Sequence, residues 1–492
     1  MIKGVLFRTT STELGGADRL YPQVTIDALP DSLLLDTFDF YLDKDYADEI
    51  DYCHNYDRWQ TLVHVCRRWR CVVFASPRRL DLKLYCTRQR LANEKMLDIW
   101  PAFPIVIVAL SIQSKEEVIN TIAALRQHNR VCKIDYYHQQ FQDSFLEEFA
   151  AIDEPFPALT DLQLSSFQQG NVPVLPDSFL GGSAPRLRSL NLVGIPFPSV
   201  GKLLASTTNL VRLSLCRIPH SGYITHKSIV SCLSILPRLK AFSLGFQYPQ
   251  SHAHRGLGRP PPPLTRSVIP NLNFLYFYGN IEYLEDILSH IETPLLTQSE
   301  FHFFNQLVFD TPLLGHFFRH TEALMTIHRA HVEFSTCAVV ATFLGQEEMA
   351  NNDREDLRLE VACKPLDWQI SALSQVLNSF VSSLENLKSL EIAVRPVPHK
   401  DWQSEIEVIQ WLELMYPFML VKDITLEFED SVRLIAPALQ ELSGERHTQI
   451  LPALQNLFLR TYHWQPSGHV KNAIEQFIAT RQFDGRPVTV HY

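Results

Sequence analysis

The chain has 492 residues, of which 46% are hydrophobic and 20% charged, and a formal net charge of −10. This composition supports a folded core and excludes a largely disordered chain. The negative charge argues against a duplex nucleic-acid binder, which is usually basic. The length predicts about two to four domains, unless the fold is a repeat array.

The N-terminal residues, the longest apolar run and the cysteines give indications of the cellular compartment. Residues 1–25 are polar and lack periodicity, which predicts a flexible leader. The apolar run 104–110 is far shorter than the ~20 residues that cross a bilayer, so we expect no membrane partner. Nine cysteines without a Cys-any-any-Cys pair favour reduced thiols over a disulfide framework. We therefore expect a location in the cytoplasm or the nucleus.

The first predicted helix lies in IDALPDSLLLDTFDFYL (26–42). Pro30 suits the first turn of a helix, and the Asp31 carboxylate there favours the helix dipole. Leu34, Phe38 and Leu42 then recur on one stripe. The acidic stretch that follows, residues 43–58, has no clear period and predicts a loop.

The stretch LVHVCRRWRCVVFASP (62–77) predicts a second helix. Its apolar residues fall on one helical face: Leu62, Val65, Cys66, Trp69, Val72 and Val73. The face buries a tryptophan, and Arg67, Arg68 and Arg70 lie off it, where they can remain in water.

Two blocks of opposite charge adjoin in this region. Residues 31–57 hold nine acidic residues and one lysine, whereas residues 58–90 hold nine basic residues and one aspartate. Adjacent blocks of this kind more often pair or solvate one small helical module than form two binding tails.

A short pattern returns through residues 77–485: Pro, any, Leu, any two, Leu, any, Leu. The strong copies are PALTDLQL (157–164), PRLRSLNL (185–192), PRLKAFSL (237–244) and PALQNLFL (452–459). Variants are TNLVRLSL (208–215), PNLNFLYF (270–277), ENLKSLEI (385–392) and LVKDITLEF (420–428), with weaker ones at 130–137 and 353–361. The Leu-any-Leu alternation predicts a short strand with one buried face, and the leading leucine enters the same core.

Helical stretches separate these copies, for example at 117–128, 200–208 and 228–236. One strand and one helix cannot bury their apolar edge alone, so stacked units predict a parallel sheet with helices outside it. The predicted fold class is an α/β solenoid: a small all-α module (26–76) followed by an irregular leucine-rich-repeat array (77–485). A plain α/β domain is the alternative. Four consecutive prolines predict a surface loop near 251–266.

The N-terminal module resembles an F-box over roughly residues 26–76. It opens with Leu29-Pro30-Asp31 and an apolar helix, and it closes with Val65-Cys66-Arg67-Arg68-Trp69. The spacer 43–58 is longer and more acidic than is usual in that family. The repeats resemble those of leucine-rich F-box proteins, and the chain is similar to the large fungal F-box families.

The resemblance implies a non-catalytic substrate-recognition subunit of a Skp–cullin–F-box ubiquitin ligase. The F-box would dock a Skp-type adaptor, and through it a cullin, while the repeats hold an unknown protein substrate near the ubiquitin-charged enzyme. The adaptor-binding positions that it implies are Leu29, Pro30, Leu34, Phe38, Leu42, Leu62, Val65 and Trp69. Alternatively, these residues form only the hydrophobic core of a capping element for the array.

Sequence motifs of enzymes are missing. There is no GxGxxG after a strand, no Walker A loop, no HExxH and no GxSxG, so we predict no enzyme, cofactor or metal. His252 and His254 lack further ligands at metal spacing. A leucine-rich interaction scaffold without a ligase role is the second candidate function, and a hydrolase with an unrecognised site is a distant third. The aromatic residues of 273–280 and 301–309 favour core positions over a binding patch.

Overall fold

The structure is a computed structural model with side chains. It describes residues 26–42, 58–87, 97, 100–110, 115–138, 143–167, 172–249, 266–306, 308–321, 327–345, 355–381, 384–395, 407–442, 450–461 and 468–492. The predicted leader, nearly all of the predicted acidic and proline-rich loops, and His252 and His254 lie outside these ranges. The chain divides into two compact units, Met1–Leu84 and Tyr85–Tyr492.

The described part of the first unit contains three helices: α1 (Asp31–Leu42), α2 (Arg58–Val63) and α3 (Arg67–Ala75). The prediction of one helix through 62–77 is therefore wrong. Cys66 has an extended backbone, and its Sγ accepts a hydrogen bond from the Trp69 backbone N–H at 3.4 Å. Cys66 thus caps α3 and separates it from α2. The apolar periodicity continues across this break, so periodicity alone predicts one continuous helix.

The second unit is built on a sixteen-stranded sheet whose first strand begins at the unit boundary. Its strands are β1 (Leu84–Thr87), β2 (Ile105–Leu110), β3 (Val131–His138), β4 (Asp161–Ser166), β5 (Ser189–Val193), β6 (Arg212–Ile218), β7 (Ala241–Phe246), β9 (Phe274–Gly279), β11 (Gln298–Phe303), β12 (Arg329–Phe334), β13 (Ala338–Leu344), β14 (Glu355–Ala362), β15 (Ser389–Val394), β16 (Asp423–Glu427), β17 (Asn456–Arg460) and β18 (Thr489–His491). Two short strands, β8 (Ser267–Val268) and β10 (Ile291–Glu292), form a separate parallel pair.

Helices alternate with these strands. They are α4 (Lys115–Leu125), α5 (Asp143–Ala150), α6 (Val200–Leu204), α7 (His226–Ser234), α8 (Ile281–Leu288), α9 (Pro312–Arg319), α10 (Leu366–Asn378), α11 (Val408–Met415), α12 (Glu429–Glu441) and α13 (Gly468–Phe483). The helices predicted within 117–128, 200–208 and 228–236 are α4, α6 and α7. Among the described residues, no helix is both long enough and apolar enough to span a membrane.

The strands pair in parallel from β2 through β11 in chain order, apart from the two short strands of the separate pair. The order then becomes β11, β14, β13, β12, β15, with antiparallel pairs on both sides of β13. Parallel pairing resumes from β12 through β15 to β18. A parallel sheet with one strand per repeat is consistent with a leucine-rich-repeat fold, and β12–β14 interrupt it.

The leucine pattern sets the core as predicted. The second leucines of successive copies lie side by side: Leu162 pairs with Leu190, and Leu190 pairs with Leu213. The leading positions, three residues before each strand's first buried residue, are all buried: Leu159, Leu187, Leu210, Leu239, Leu272, Leu387, Val421 and Leu454. Helix side chains cover this face of the sheet, as where Trp411 of α11 meets Phe334 of β12 at a ring-centroid distance of 5.4 Å.

One glycine is required by close helix packing. A Cβ on Gly315, in α9, would lie 2.2 Å from the backbone oxygen of Ser379, which follows α10. Gly-to-Ala changes inside helices usually stabilise by about 0.5–1 kcal/mol. At this position we expect Gly315→Ala to destabilise the fold by about 1–3 kcal/mol, because neither backbone can move away freely. The midpoint of urea unfolding measures this change.

Gly468→Ala is the matched control for that substitution. Gly468 begins α13, and a Cβ there has no atom within 4 Å. The control should leave the midpoint unchanged or raise it slightly. Equal midpoints for the two variants would contradict the proposed close contact between α9 and Ser379.

Candidate functional site

The eight positions implied by the F-box resemblance fall into three groups in the first unit. Leu34 and Phe38 are each 1% exposed, and Leu62 is also buried. Leu29, Leu42 and Trp69 are half-buried, whereas Pro30 and Val65 are exposed. The buried group therefore contacts its own unit in this conformation, and only the remaining five positions offer surface to a partner.

The core of the first unit joins α1 to α3. The rings of Phe38 and Trp69 lie 4.7 Å apart, centroid to centroid. The Trp59 indole N–H donates to the backbone oxygen of Lys83 at 3.1 Å. Leu34 adds buried aliphatic surface on the same stripe of α1 as Phe38. Trp69, at the end of the F-box-like segment, thus first holds the helices of its own unit together.

The arginines beside Trp69 make different contacts within the first unit. Arg68 donates to the Asp31 carboxylate at 2.7 Å and to the backbone oxygen of Leu29, so it ties α3 to the start of α1. Arg70 donates to the backbone oxygen of Val63, at the end of α2, at 2.9 Å. Arg79 pairs with Asp36. Two ion pairs therefore join the acidic and basic blocks within this unit, and the acidic residues of 43–57 lie outside the described residues.

An apolar stripe remains on the surface of α1. It consists of Leu33, Phe40 and Tyr41, which are 49%, 73% and 43% exposed. Their spacing of seven and eight residues places them on one side of the helix, and Thr37 completes that side. Val65, in the turn between α2 and α3, is 56% exposed. We call Leu33, Phe40, Tyr41 and Val65 the exposed apolar set of the first unit.

In the second unit, side chains alternate between the helix-covered face and a second face, which we call the polar face. In β9 and β11, Phe277, Phe301 and Phe303 lie in the core, as the sequence favours, whereas Tyr276 and Tyr278 lie half-buried on the polar face. From β11 to β17 this face carries seven carboxylates and three strand arginines. They are Glu300, Glu333, Asp356, Glu360, Glu391, Asp423 and Glu427, with Arg329, Arg358 and Arg460.

The first cluster on the polar face surrounds His302 of β11. Its Nδ1 lies 3.2 Å from the Glu360 carboxylate, and its Nε2 lies 4.0 Å from the Glu300 carboxylate. Tyr276 and Tyr278 flank the imidazole at centroid distances of 5.1 and 6.2 Å. Register explains the grouping, because His302 pairs with Glu360 across β11 and β14 and with Tyr278 across β11 and β9.

Charge and burial shift the titration of this cluster. Burial lowers the pKa of His302, but the carboxylates of Glu300 and Glu360 more than compensate, so the pKa is raised overall. The contact with His302 lowers the pKa of Glu360. Burial raises the pKa of Tyr276, whose hydroxyl therefore stays neutral. The cluster places two tyrosine rings beside His302 and the carboxylates of Glu300 and Glu360.

The second cluster lies on β12, β15, β16 and β17. The Arg460 guanidinium is 3.6 Å from the Glu391 carboxylate and 3.8 Å from that of Glu427. A hydrogen bond shared with Glu391, together with burial, raises the pKa of Glu427. One arginine thus contacts two adjacent carboxylates. Negative charge at this place is incompletely compensated among the described residues.

His331 adjoins the two carboxylates of this second cluster. One ligand atom from each of His331, Glu391 and Glu427 lies within 4.8 Å of the others, a separation at which a metal ion could be shared. However, the Arg460 guanidinium already contacts both carboxylates, and a cation would have to displace it. We therefore describe the cluster as a charge network and assign no metal to it.

Sequence reasoning did not select the residues of the polar face. A signal was present, because the position between the last two leucines of each strand motif points to the face opposite them. In LRLEV, LEIAV and ITLEF that alternation leaves Glu360, Glu391 and Glu427 on the second face. Which of these carboxylates meet depends on strand order. The order β11, β14, β13, β12, β15 does not follow the sequence.

Comparison with known proteins adds little to this description. No protein-family model matches the chain, and no curated protein matches its sequence. Among solved structures, the leucine-rich repeat-containing protein LegL7 from Legionella pneumophila is a weak neighbour, at 14% identity and a TM-score of 0.27. The match covers 69% of this chain and 95% of that protein. A likeness at this TM-score carries no argument, so the assignment of a leucine-rich-repeat-like fold depends on the strand order and register described above.

Proposed function

We propose that this chain is the substrate-recognition subunit of a Skp–cullin–F-box type ubiquitin ligase in the cytoplasm or nucleus. In this role the first unit docks a Skp-type adaptor, and through it a cullin, while the leucine-rich-repeat-like unit holds a protein substrate. The chain itself performs no bond chemistry. It raises the local concentration of substrate lysines near the ubiquitin-charged enzyme.

The observation that carries the proposal is the exposed apolar set of the first unit, within the segment that resembles an F-box. Three large exposed apolar side chains lie on one side of α1, and Val65 lies just before α3 in the sequence. Exposed apolar surface of this kind favours burial against a partner. Burial of such residues contributes about 25 cal/mol per Å² of apolar surface removed from water. Buried Leu34 and Phe38 support the shape of this surface from inside.

Two adjacent residues of α1 provide the test. Leu33→Glu introduces a charge into the exposed apolar set, and Ser32→Glu introduces the same charge one position earlier, on another side of the helix. Both lie in the first turn, where the helix dipole favours a carboxylate, so helix stability should respond alike. We expect Leu33→Glu to weaken adaptor binding at least about tenfold, and Ser32→Glu to leave it nearly unchanged.

Adaptor binding is measured by co-expression with a Skp-type adaptor, size-exclusion chromatography and calorimetry on the purified complex. Val65→Glu is a second variant on the exposed apolar set. Circular dichroism confirms that each variant is folded. Equal binding by Leu33→Glu and Ser32→Glu, or no co-elution of the folded wild type, would remove the adaptor-docking role.

A leucine-rich interaction scaffold without a ligase role is the second candidate. It is favoured by the size of the polar face, which can bind a partner whether or not the first unit docks an adaptor. The co-elution experiment separates the two functions. A scaffold binds its partner through the second unit and gives no adaptor complex.

A further inference from the structure

The polar face has two carboxylate pairs separated by the two strands β13 and β12, of which β12 carries Arg329, His331 and Glu333 on this face. Glu300 and Glu360 lie on the neighbouring strands β11 and β14, and Glu391 and Glu427 lie on the neighbouring strands β15 and β16. Between them runs β13, whose side chains on this face include Val340 and Thr342. The Glu333 carboxylate, on the intervening β12, forms an ion pair with the Arg395 guanidinium at 2.6 Å.

We propose that the polar face binds an extended, cationic segment of the partner, with a lysine or arginine side chain at each of the two carboxylate pairs. This inference deepens the proposed function, because it names the class of substrate that the second unit would hold. Charge complementarity supports it. Seven carboxylates on this face exceed its three strand arginines, and each pair has one strand arginine beside two carboxylates: Arg358 lies 3.3 Å from Glu360, and Arg460 lies 3.6 and 3.8 Å from Glu391 and Glu427.

The surroundings of the first pair suit a cationic side chain in particular. Tyr276 and Tyr278 place aromatic rings beside Glu300 and Glu360, with Tyr278 held against Phe304 at a centroid distance of 4.7 Å. Aromatic faces attract ammonium and guanidinium groups, and nearby carboxylates strengthen that attraction. An anionic partner such as nucleic acid would be repelled by the same surface.

The second pair, Glu391 and Glu427, suits a cationic side chain for a different reason. Carboxylate oxygens of Glu391 and Glu427 lie within 4.8 Å of each other, and Arg460 is shared between the two carboxylates at 3.6 and 3.8 Å. A partner cation would relieve the repulsion between the two carboxylates. Because the repulsion between the carboxylates is relieved only when the cation is bound, this change in free energy favours the bound state.

Strand order sets the spacing of the cations. The two pairs are four strand intervals apart in the order β11, β14, β13, β12, β15, β16. At about 4.8 Å per interval this is roughly 19 Å. An extended chain advances about 3.3–3.6 Å per residue, so the two cationic positions should be about five or six residues apart.

The probe is a fluorescein-labelled peptide with two Lys-Lys pairs joined by a Ser-Gly spacer of about five residues. Binding is followed by fluorescence anisotropy at low ionic strength. A peptide with a much shorter spacer, and one with glutamate for lysine, are the ligand controls. We expect the full spacer to bind at least about fivefold more tightly than the short one, because only it spans both pairs.

The protein variants compare equal changes of charge. Glu391→Gln with Glu427→Gln removes the second pair, and Glu300→Gln weakens the first. The control is Glu147→Gln with Glu148→Gln, two exposed residues of α5. We expect about a tenfold loss for the polar-face double variant and less than about twofold for the control.

Equal losses in the two double variants, or no preference of the wild type for the lysine peptide, would overturn this inference. Glu300→Gln preserves the test if the double variant fails to fold. Adaptor co-elution is measured on the same preparations. Loss of peptide binding with adaptor binding intact, or the reverse, therefore distinguishes failure of this inference from failure of the proposed function.

Discussion

Replacing Glu285 by alanine should destabilise the second unit by about 3–5 kcal/mol. Glu285, in α8, is fully buried, and its carboxylate accepts hydrogen bonds from the backbone N–H groups of Leu313 at 3.0 Å and Leu314 at 2.6 Å. These amides begin α9, where no preceding carbonyl of the helix can accept them. Alanine would leave the two amides unsatisfied and create a cavity.

The helix cannot replace this cap from its own sequence. The residue before α9 is Thr311, whose hydroxyl donates to Ser379 Oγ at 2.6 Å and makes no cap bond. A charge from the preceding repeat therefore caps α9, and the two repeats become coupled through it. Loss of Glu285 should weaken the contact between repeats as well as α9.

The midpoint of urea unfolding, followed by circular dichroism, measures the effect. Glu285→Gln keeps the shape and one acceptor oxygen, and should lose roughly half as much stability. Glu148→Ala, at an exposed helix position, is the control and should change stability by less than about 0.5 kcal/mol. A loss no greater for Glu285→Ala than for the control would contradict the capping role.

The second large effect is expected in the first unit. Phe38→Ala should cost about 3–5 kcal/mol, because the ring is 1% exposed and packs against Trp69. The helical core of this unit is small, so a loss of that size approaches the whole stability of a small domain. We expect α1, α2 and α3 to unfold locally while the sheet of the second unit persists.

Hydrogen exchange with mass spectrometry can resolve this outcome by segment. Protection within α1, α2 and α3 should collapse in Phe38→Ala and survive in the matched control Phe483→Ala, because Phe483 is 92% exposed. Unchanged protection in Phe38→Ala would show that the ring is not needed for the helical core. The result also matters for adaptor assays: Phe38→Ala should abolish docking by unfolding the unit, whereas Leu33→Glu should do so with the unit intact.

The repeat strands could be predicted because their signal is local. Each Leu-any-any-Leu-any-Leu copy identifies a strand and its buried face, and the structure places Leu159, Leu162 and Leu164 in the core accordingly. The break at Cys66 could not be predicted from periodicity, since Val65 fits the apolar stripe but is exposed. At this position the Cys66 thiol caps α3, and the spacing of apolar residues does not reveal such a cap.

The candidate site was less predictable than the fold. Glu360 and His302 are far apart in sequence and meet only because β14 pairs with β11. The strands RAHVEF and AVVATFL, which alter the strand order, lack the leucine motif, so that motif does not predict them. Side chains brought together by strand order cannot be found by reading one repeat at a time.

The altered strand order also affects how the chain is made. In a simple array each strand meets its neighbour in the next repeat, but β11 ends at Phe303 and its partner β14 ends at Ala362. Ribosomes add about 5–20 residues per second, so that edge of β11 waits about 3–12 s for its partner during synthesis. An unpaired strand edge can recruit strands from other chains. We therefore expect this interval of translation to leave the edge of β11 open to incorrect pairing.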